Sequence, residues 1–108
     1  MKFSNPYWSK TTQMELLQKW ILVHSCIYYD LNANIVDDYV YDMNCKQLAE
    51  AISKFPKIHK NTKWYKAFEE FDGSTGFDLW SKLDRTQQVQ IGLLAASLVD
   101  KFGRGRGI

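Results

Sequence analysis

The chain has little of what small domains use to staple themselves: two cysteines, two prolines and two histidines in 108 residues. Cys26 and Cys45 lack CxxC spacing and a neighbouring histidine pair, so they make neither a zinc site nor a disulfide framework. Both fall at helix-like positions and read as buried free thiols. No metal site is expected. No apolar run approaches the ~18 residues of a membrane span, and MKFSNPYWSK at the start holds no apolar leader core. The expectation is a cytoplasmic protein with no membrane partner. Net charge is only +2 and the basic residues are scattered, which gives no strong nucleic-acid signal. The terminal GRGRGI concentrates two arginines among three glycines and reads as an irregular tail over 103–108. No segment alternates for long enough to make a strand, and there is no internal repeat or linker.

What the chain has in quantity is aromatic: four Trp, six Tyr and six Phe, 15% of the residues. That is ample for one core in one domain spanning 1–108. The spacing predicts a small all-α bundle of about four helices. After an irregular arm over 1–11, Thr12 and Glu15 form a capping-box pattern. Leu16, Leu17, Trp20, Val23 or His24, Ile27 and Leu31 then recur at threes and fours, predicting a helix from Thr12 to Asp30. LNAN breaks it, since Asn tolerates turn geometry. Asp37 is the cap of the next helix, with Asp38 near its positive end. Its stripe runs through Tyr41, Cys45, Leu48, Ile52 and Phe55 and stops near Pro56. A short connection makes these two helices an antiparallel hairpin. NTKWYKAFEEF predicts a short third helix, capped by Asn61 or Thr62, that buries Trp64, Tyr65 and Phe68. Asp84 caps a fourth, whose apolar face runs through Val89, Leu93, Leu94, Ala96 and Leu98 to a stop at Gly103.

One stretch is unusual. IYYDLNANIVDDYVYD, residues 27–42, packs four tyrosines and four aspartates into the predicted hairpin end. Asp38, Tyr41 and Asp42 stand at i, i+3 and i+4, on one side of the second helix. Tyr28 and Tyr29 close the first helix, so the hairpin brings all five residues together. The expected result is a cup with aromatic walls and carboxylates on its rim. Flat rings suit a planar heterocycle, and a cationic one gains a further ~0.5–2 kcal/mol from the ring faces. Physics alone leaves a second reading open, in which the rings are core and the aspartates only cap a helix.

Residues 28–42 resemble the N-terminal helical domain of bacterial NAD-dependent DNA ligases. That domain carries a Tyr-(His/Tyr) pair, a short turn, an Ile-(Ser/Pro)-Asp element and then x-x-Tyr-Asp. The resemblance runs without a gap and covers residues 16–56. It implies a grip on the nicotinamide mononucleotide half of NAD by Tyr28, Tyr29, Asp38, Tyr41 and Asp42. Tyr28 and Tyr41 would sandwich the pyridinium ring, Asp38 and Asp42 would meet ribose and ring charge, and Tyr29 would lie nearer the phosphate. FDGSTGFDL at 71–79 is similar to a second signature, that of small phage-encoded proteins described as ligase-related.

Two departures decide what the resemblance does not imply. Val40 stands where the ligases usually have glutamate. Glu70-Phe71-Asp72-Gly73 is the nearest approach to the K-x-D-G nucleotidyl-transfer motif, with glutamate in place of the nucleophilic lysine. Glutamate cannot form the lysine–AMP bond, so the chain is no ligase.

The remaining candidates are weaker. Ser74 and Thr75 could offer hydroxyls to a phosphate, though DGSTG reads first as a turn. Lys54, Lys57, His59, Lys60, Lys63 and Lys66 read first as a solvated face, with Lys60 and Lys63 as phosphate candidates. His24 and His59 read as structural, and no catalytic residue or required cofactor is expected. The expected function is a non-catalytic binding protein for NMN, NAD or a NAD-derived molecule, used as a phage accessory or counter-defence factor. The alternative is an interaction module that docks a host protein through Trp8, Trp64 and Trp80. A NAD-cleaving enzyme with Asp38 and Asp42 as acid–base pair is required by nothing in the sequence.

Overall fold

The computed structural model describes residues 8–73, 78–102 and 104–105. It is all-α, as expected, with four α-helices among the described residues, three of them packed around a buried central one. The first, α1 (Lys10–Tyr29), begins two residues earlier than predicted. Its cap is Ser9, in extended backbone, whose Oγ accepts the Thr12 N–H at 3.1 Å. Thr12 therefore lies inside the first turn and forms no capping box with Glu15. The Glu15 carboxylate instead accepts the Lys63 N–H at 2.7 Å and ties a distant loop to the helix.

Residues 21–27 of α1 are all buried, which places the helix at the centre of the molecule rather than along one side. Other elements pack against it from several directions. Leu31, expected to extend the apolar stripe, lies past the helix end and is exposed.

The LNAN break turns the chain through Asn32, at φ 51°. Asn is among the few non-glycine residues that enter this left-handed region at low cost. Ala33–Asn34 (β1) then pairs antiparallel with Arg104–Gly105 (β2), so the described part of the tail is seated rather than irregular. The second helix, α2 (Asp38–Lys54), starts after Asp37 as predicted and buries Cys45, Leu48 and Ala51. It ends before Phe55, whose φ −130° and ψ 60° obey the restriction that a following proline imposes. Pro56 then opens α3 (Pro56–Lys60), a five-residue helix the sequence did not announce.

The helix predicted over NTKWYKAFEEF is only a 3-10 turn, Tyr65–Phe68. So short a segment does not repay helix nucleation, and Thr62 is already committed elsewhere. Its hydroxyl donates to the His59 carbonyl at 2.7 Å and accepts from buried Gln18 Nε2 at 3.0 Å. Trp64 and Phe68 are buried as expected, while Tyr65 is half-buried. Gly73, at φ +87°, lies against α2: a Cβ there would come within 3.0 Å of Ala49 Cβ.

A second 3-10 turn, Trp80–Lys82, leads to α4 (Arg85–Phe102). Asp84 caps it reciprocally: Oδ1 accepts the Gln87 N–H at 2.8 Å, and the Asp84 N–H donates to Gln87 Oε1 at 3.1 Å. Of its predicted face only Leu98 packs against the core. Ile91 and Ala95 are fully buried with Leu98 and Val99 beside them, while Val89, Leu93, Leu94 and Ala96 are exposed. The Trp80 ring packs beside Gly92, 3.6 Å from where a Cβ would lie, an ordinary contact distance. Cys26 and Cys45 are buried free thiols, each pushed up to about 11 mainly by burial. Among the described residues no helix is long and apolar enough to cross a membrane.

Candidate functional site

The end of α1 and the start of α2 enclose a cleft of about 250 Å³ at the turn end of the hairpin, and its mouth is there. α1 supplies His24, Ile27, Tyr28 and Tyr29, the connection supplies Ala33, Ile35 and Val36, and α2 supplies Asp38, Tyr41 and Asp42. All five residues that sequence spacing brought together thus line one cavity. The cause is local: a short turn fixes two helix ends side by side, and i, i+4 spacing keeps Asp38 and Asp42 on one face of α2.

Tyr41 is the best-anchored wall. Its hydroxyl shares a hydrogen bond with Ser25 Oγ, and Trp20 stacks on it at 6.2 Å between centroids and 29° between planes. Burial pushes its phenol well above the usual tyrosine range, so the ring stays neutral. Trp20 does not itself line the cleft. It backs both Tyr41 and His24, whose ring lies 4.3 Å away. Tyr28 and Tyr29 meet edge to face at 4.8 Å and 78°.

The charge at the mouth is acidic and unopposed. Asp38 and Asp42 are exposed, and among the described residues no cation pairs with either. Carboxylates one helical turn apart repel each other by ~0.2–0.5 kcal/mol, so a cation held between them relieves that strain. Burial lowers the His24 pKa, which keeps its imidazole neutral near pH 7. The cleft thus offers two carboxylates, an aromatic wall and a neutral imidazole that can donate or accept a hydrogen bond. The described residues hold no group of three or more metal-ligating side chains.

His24 had read only as structural, and its place on the wall was missed. The signal was present: it stands one turn before Tyr28 on the same helix face. Ile35 and Val36 were missed because an irregular connection has no periodicity to read. Lys60 and Lys63 are not brought to the cleft. The Lys63 backbone is bonded to Glu15, about 20 Å along α1 from Tyr28 by helix rise. Ser74 and Thr75 lie outside the described residues. Of the three tryptophans proposed for docking a partner, Trp64 is buried, Trp80 is half-buried, and only Trp8 is exposed.

Fold and cleft define a small all-α domain with an acidic, aromatic-walled site at a hairpin mouth. Comparison with family models, with curated proteins and with solved structures found no match to this chain.

Proposed function

We propose that the protein binds the nicotinamide mononucleotide portion of NMN, NAD or a NAD-derived molecule in this cleft and holds it without turnover. The observation that carries the reading is the convergence of Tyr28, Tyr29, Asp38, Tyr41 and Asp42 on one cavity, with no cation paired to either carboxylate among the described residues. A pyridinium ring is flat and positive. It gains from stacking on Tyr41, whose far side Trp20 supports, and from the two carboxylates at the rim. A neutral His24 adds no competing charge and can serve the carboxamide.

Size sets the extent of the contact. A cavity of about 250 Å³ lies just under the ~300–1,000 Å³ usual for drug-sized ligands. It therefore accommodates the ring and its ribose, with the rest of a dinucleotide outside. The replacement of the adenylation lysine by Glu70 favours binding over nucleotidyl transfer. Holding NAD, or sequestering a NAD-derived signal, is the use that fits a phage accessory or counter-defence protein.

The test is a calorimetric titration with NMN of the wild type and of the Tyr41→Ala/Asp42→Ala double variant, with helicity followed by circular dichroism. Binding by the wild type and its loss in a helical double variant support the reading. Equal affinity in the two proteins overturns it.

A further inference from the structure

Helix α4 carries an apolar stripe that nothing in the described chain covers. Val89 is 53% and Leu93 68% exposed, and Ala96 is exposed with them. They follow at steps of four and three, away from the inward Ile91 and Ala95. The same line continues four residues back to Arg85 and four residues on to Asp100. Both charges are exposed, and neither is ion-paired among the described residues.

The stripe is self-complementary. Its midpoint falls beside Leu93, with Arg85 and Asp100 each about 11 Å from it along the axis in opposite directions. The two charges also stand at the wrong ends for their own helix. A cation opens α4 and an anion lies in its last turn, each against the helix dipole, with Asp84 at the start and Lys101 in the last turn of the opposite sign. An arrangement that costs the isolated helix something is accounted for if the charges meet partners outside it.

We propose that this face of α4 docks a second copy of the chain, the two α4 helices packing antiparallel about a two-fold axis near Leu93. Leu93 then lies against Leu93 of the second copy, and Val89 against Ala96. Arg85 of each copy meets Asp100 of the other, so the ion pair forms twice. A contact in which patch i meets patch j and j meets i is the ordinary geometry of a two-fold dimer. A parallel pairing would set Arg85 against Arg85 and Asp100 against Asp100, so the charges select the antiparallel one. One helix face is small beside the ~1,000 Å² of total buried area that marks a stable interface. The dimer is therefore concentration-dependent. The cleft draws its walls from α1, α2 and the connection between them, so pairing through α4 does not depend on the nicotinamide reading.

The test is sedimentation equilibrium of the full chain from low micromolar to millimolar concentration. The expected result is a monomer–dimer equilibrium. Leu93→Glu should raise its dissociation constant by about tenfold or more without loss of helicity, since the side chain is largely exposed. Arg85→Asp and Asp100→Arg should each weaken the dimer several-fold, and the double variant Arg85→Asp/Asp100→Arg should recover it. These reversed charges suit the helix dipole, so they do not threaten the fold. A monomer at millimolar concentration overturns the proposal. So does a dimer indifferent to Leu93→Glu, or a double charge variant no tighter than the single ones.

Discussion

The two ends of the α1–α2 hairpin are built from similar materials and are finished differently. At the end away from the turn, where α1 begins and α2 finishes, cations lie against rings. Lys10 Nζ lies 5.0 Å from the Phe55 ring centroid, Lys63 Nζ lies 5.0 Å from that of Trp64, and His59 meets Tyr65 edge to face. Gln18, Thr62 and the His59 carbonyl form a buried hydrogen-bonded chain across the same end, although Gln18 Oε1 and His59 Nε2 are left there without a partner among the described residues. At the cleft, Tyr41 is anchored by Ser25 and Trp20, and among the described residues no cation is paired with the carboxylates of Asp38 and Asp42. The lesson is that density of aromatic and charged residues does not mark a site. Charge left unanswered beside an anchored ring does.

Substitutions at the two ends should therefore separate stability from binding. The largest effect belongs to Phe68→Ala, fully buried in the core away from the cleft lining. It should cost about 3–5 kcal/mol of unfolding free energy, measured by urea titration. Thr62→Val leaves Gln18 Nε2 without its hydroxyl acceptor and removes the bond to the His59 carbonyl. About 1–3 kcal/mol should be lost, with NMN affinity unchanged in the folded fraction. A matching loss of affinity would mean that the two ends are coupled.

Acid should act on both ends through histidine. Burial lowers the pKa of His24 and of His59 below the ordinary value of 6.5, although Glu69 pulls His59 partly back. The unfolded chain then binds protons more readily than the folded one. Stability contributed by the neutral imidazoles is complete above about pH 6.5 and falls as the pH drops from there through the folded pKa values. Unfolding titrations at pH 7.5 and pH 5 should show the decline, and His59→Gln should make it shallower. The smallest change in stability should come at the mouth. Asp42→Asn removes the repulsion with Asp38 and should raise stability by ~0.2–0.5 kcal/mol while weakening NMN binding. A stable variant that binds worse is the signature of a functional carboxylate, and a destabilised one would make Asp42 a structural residue.

The hairpin and the cleft were legible because both follow from short-range rules. Asp37 caps, Asn32 turns and Phe55 stops before a proline, and the residues of the cleft lie within one turn of the two helix ends. What escaped was decided by tertiary choice. α4 is apolar on two sides, so periodicity could not say which side Trp80 and α1 would take. Ser9 and Thr12 are both competent caps by residue type, and the structure uses Ser9. Lys60 and Lys63 follow α2 in sequence, and the fold leaves Lys63 at the start of α1, away from the turn and the cleft. His24 looked like an apolar-face histidine and is one, but the same face borders the cleft.

The most direct measurement is a parallel calorimetric titration of the wild-type protein with NMN, NAD and ADP-ribose. ADP-ribose keeps the pyrophosphate and both sugars of NAD and lacks only the pyridinium ring. Heat with NMN and NAD and none with ADP-ribose is the expected result, since ring and charge are what the mouth of the hairpin recognises. No heat with NMN, or equal affinity for ADP-ribose, would contradict it.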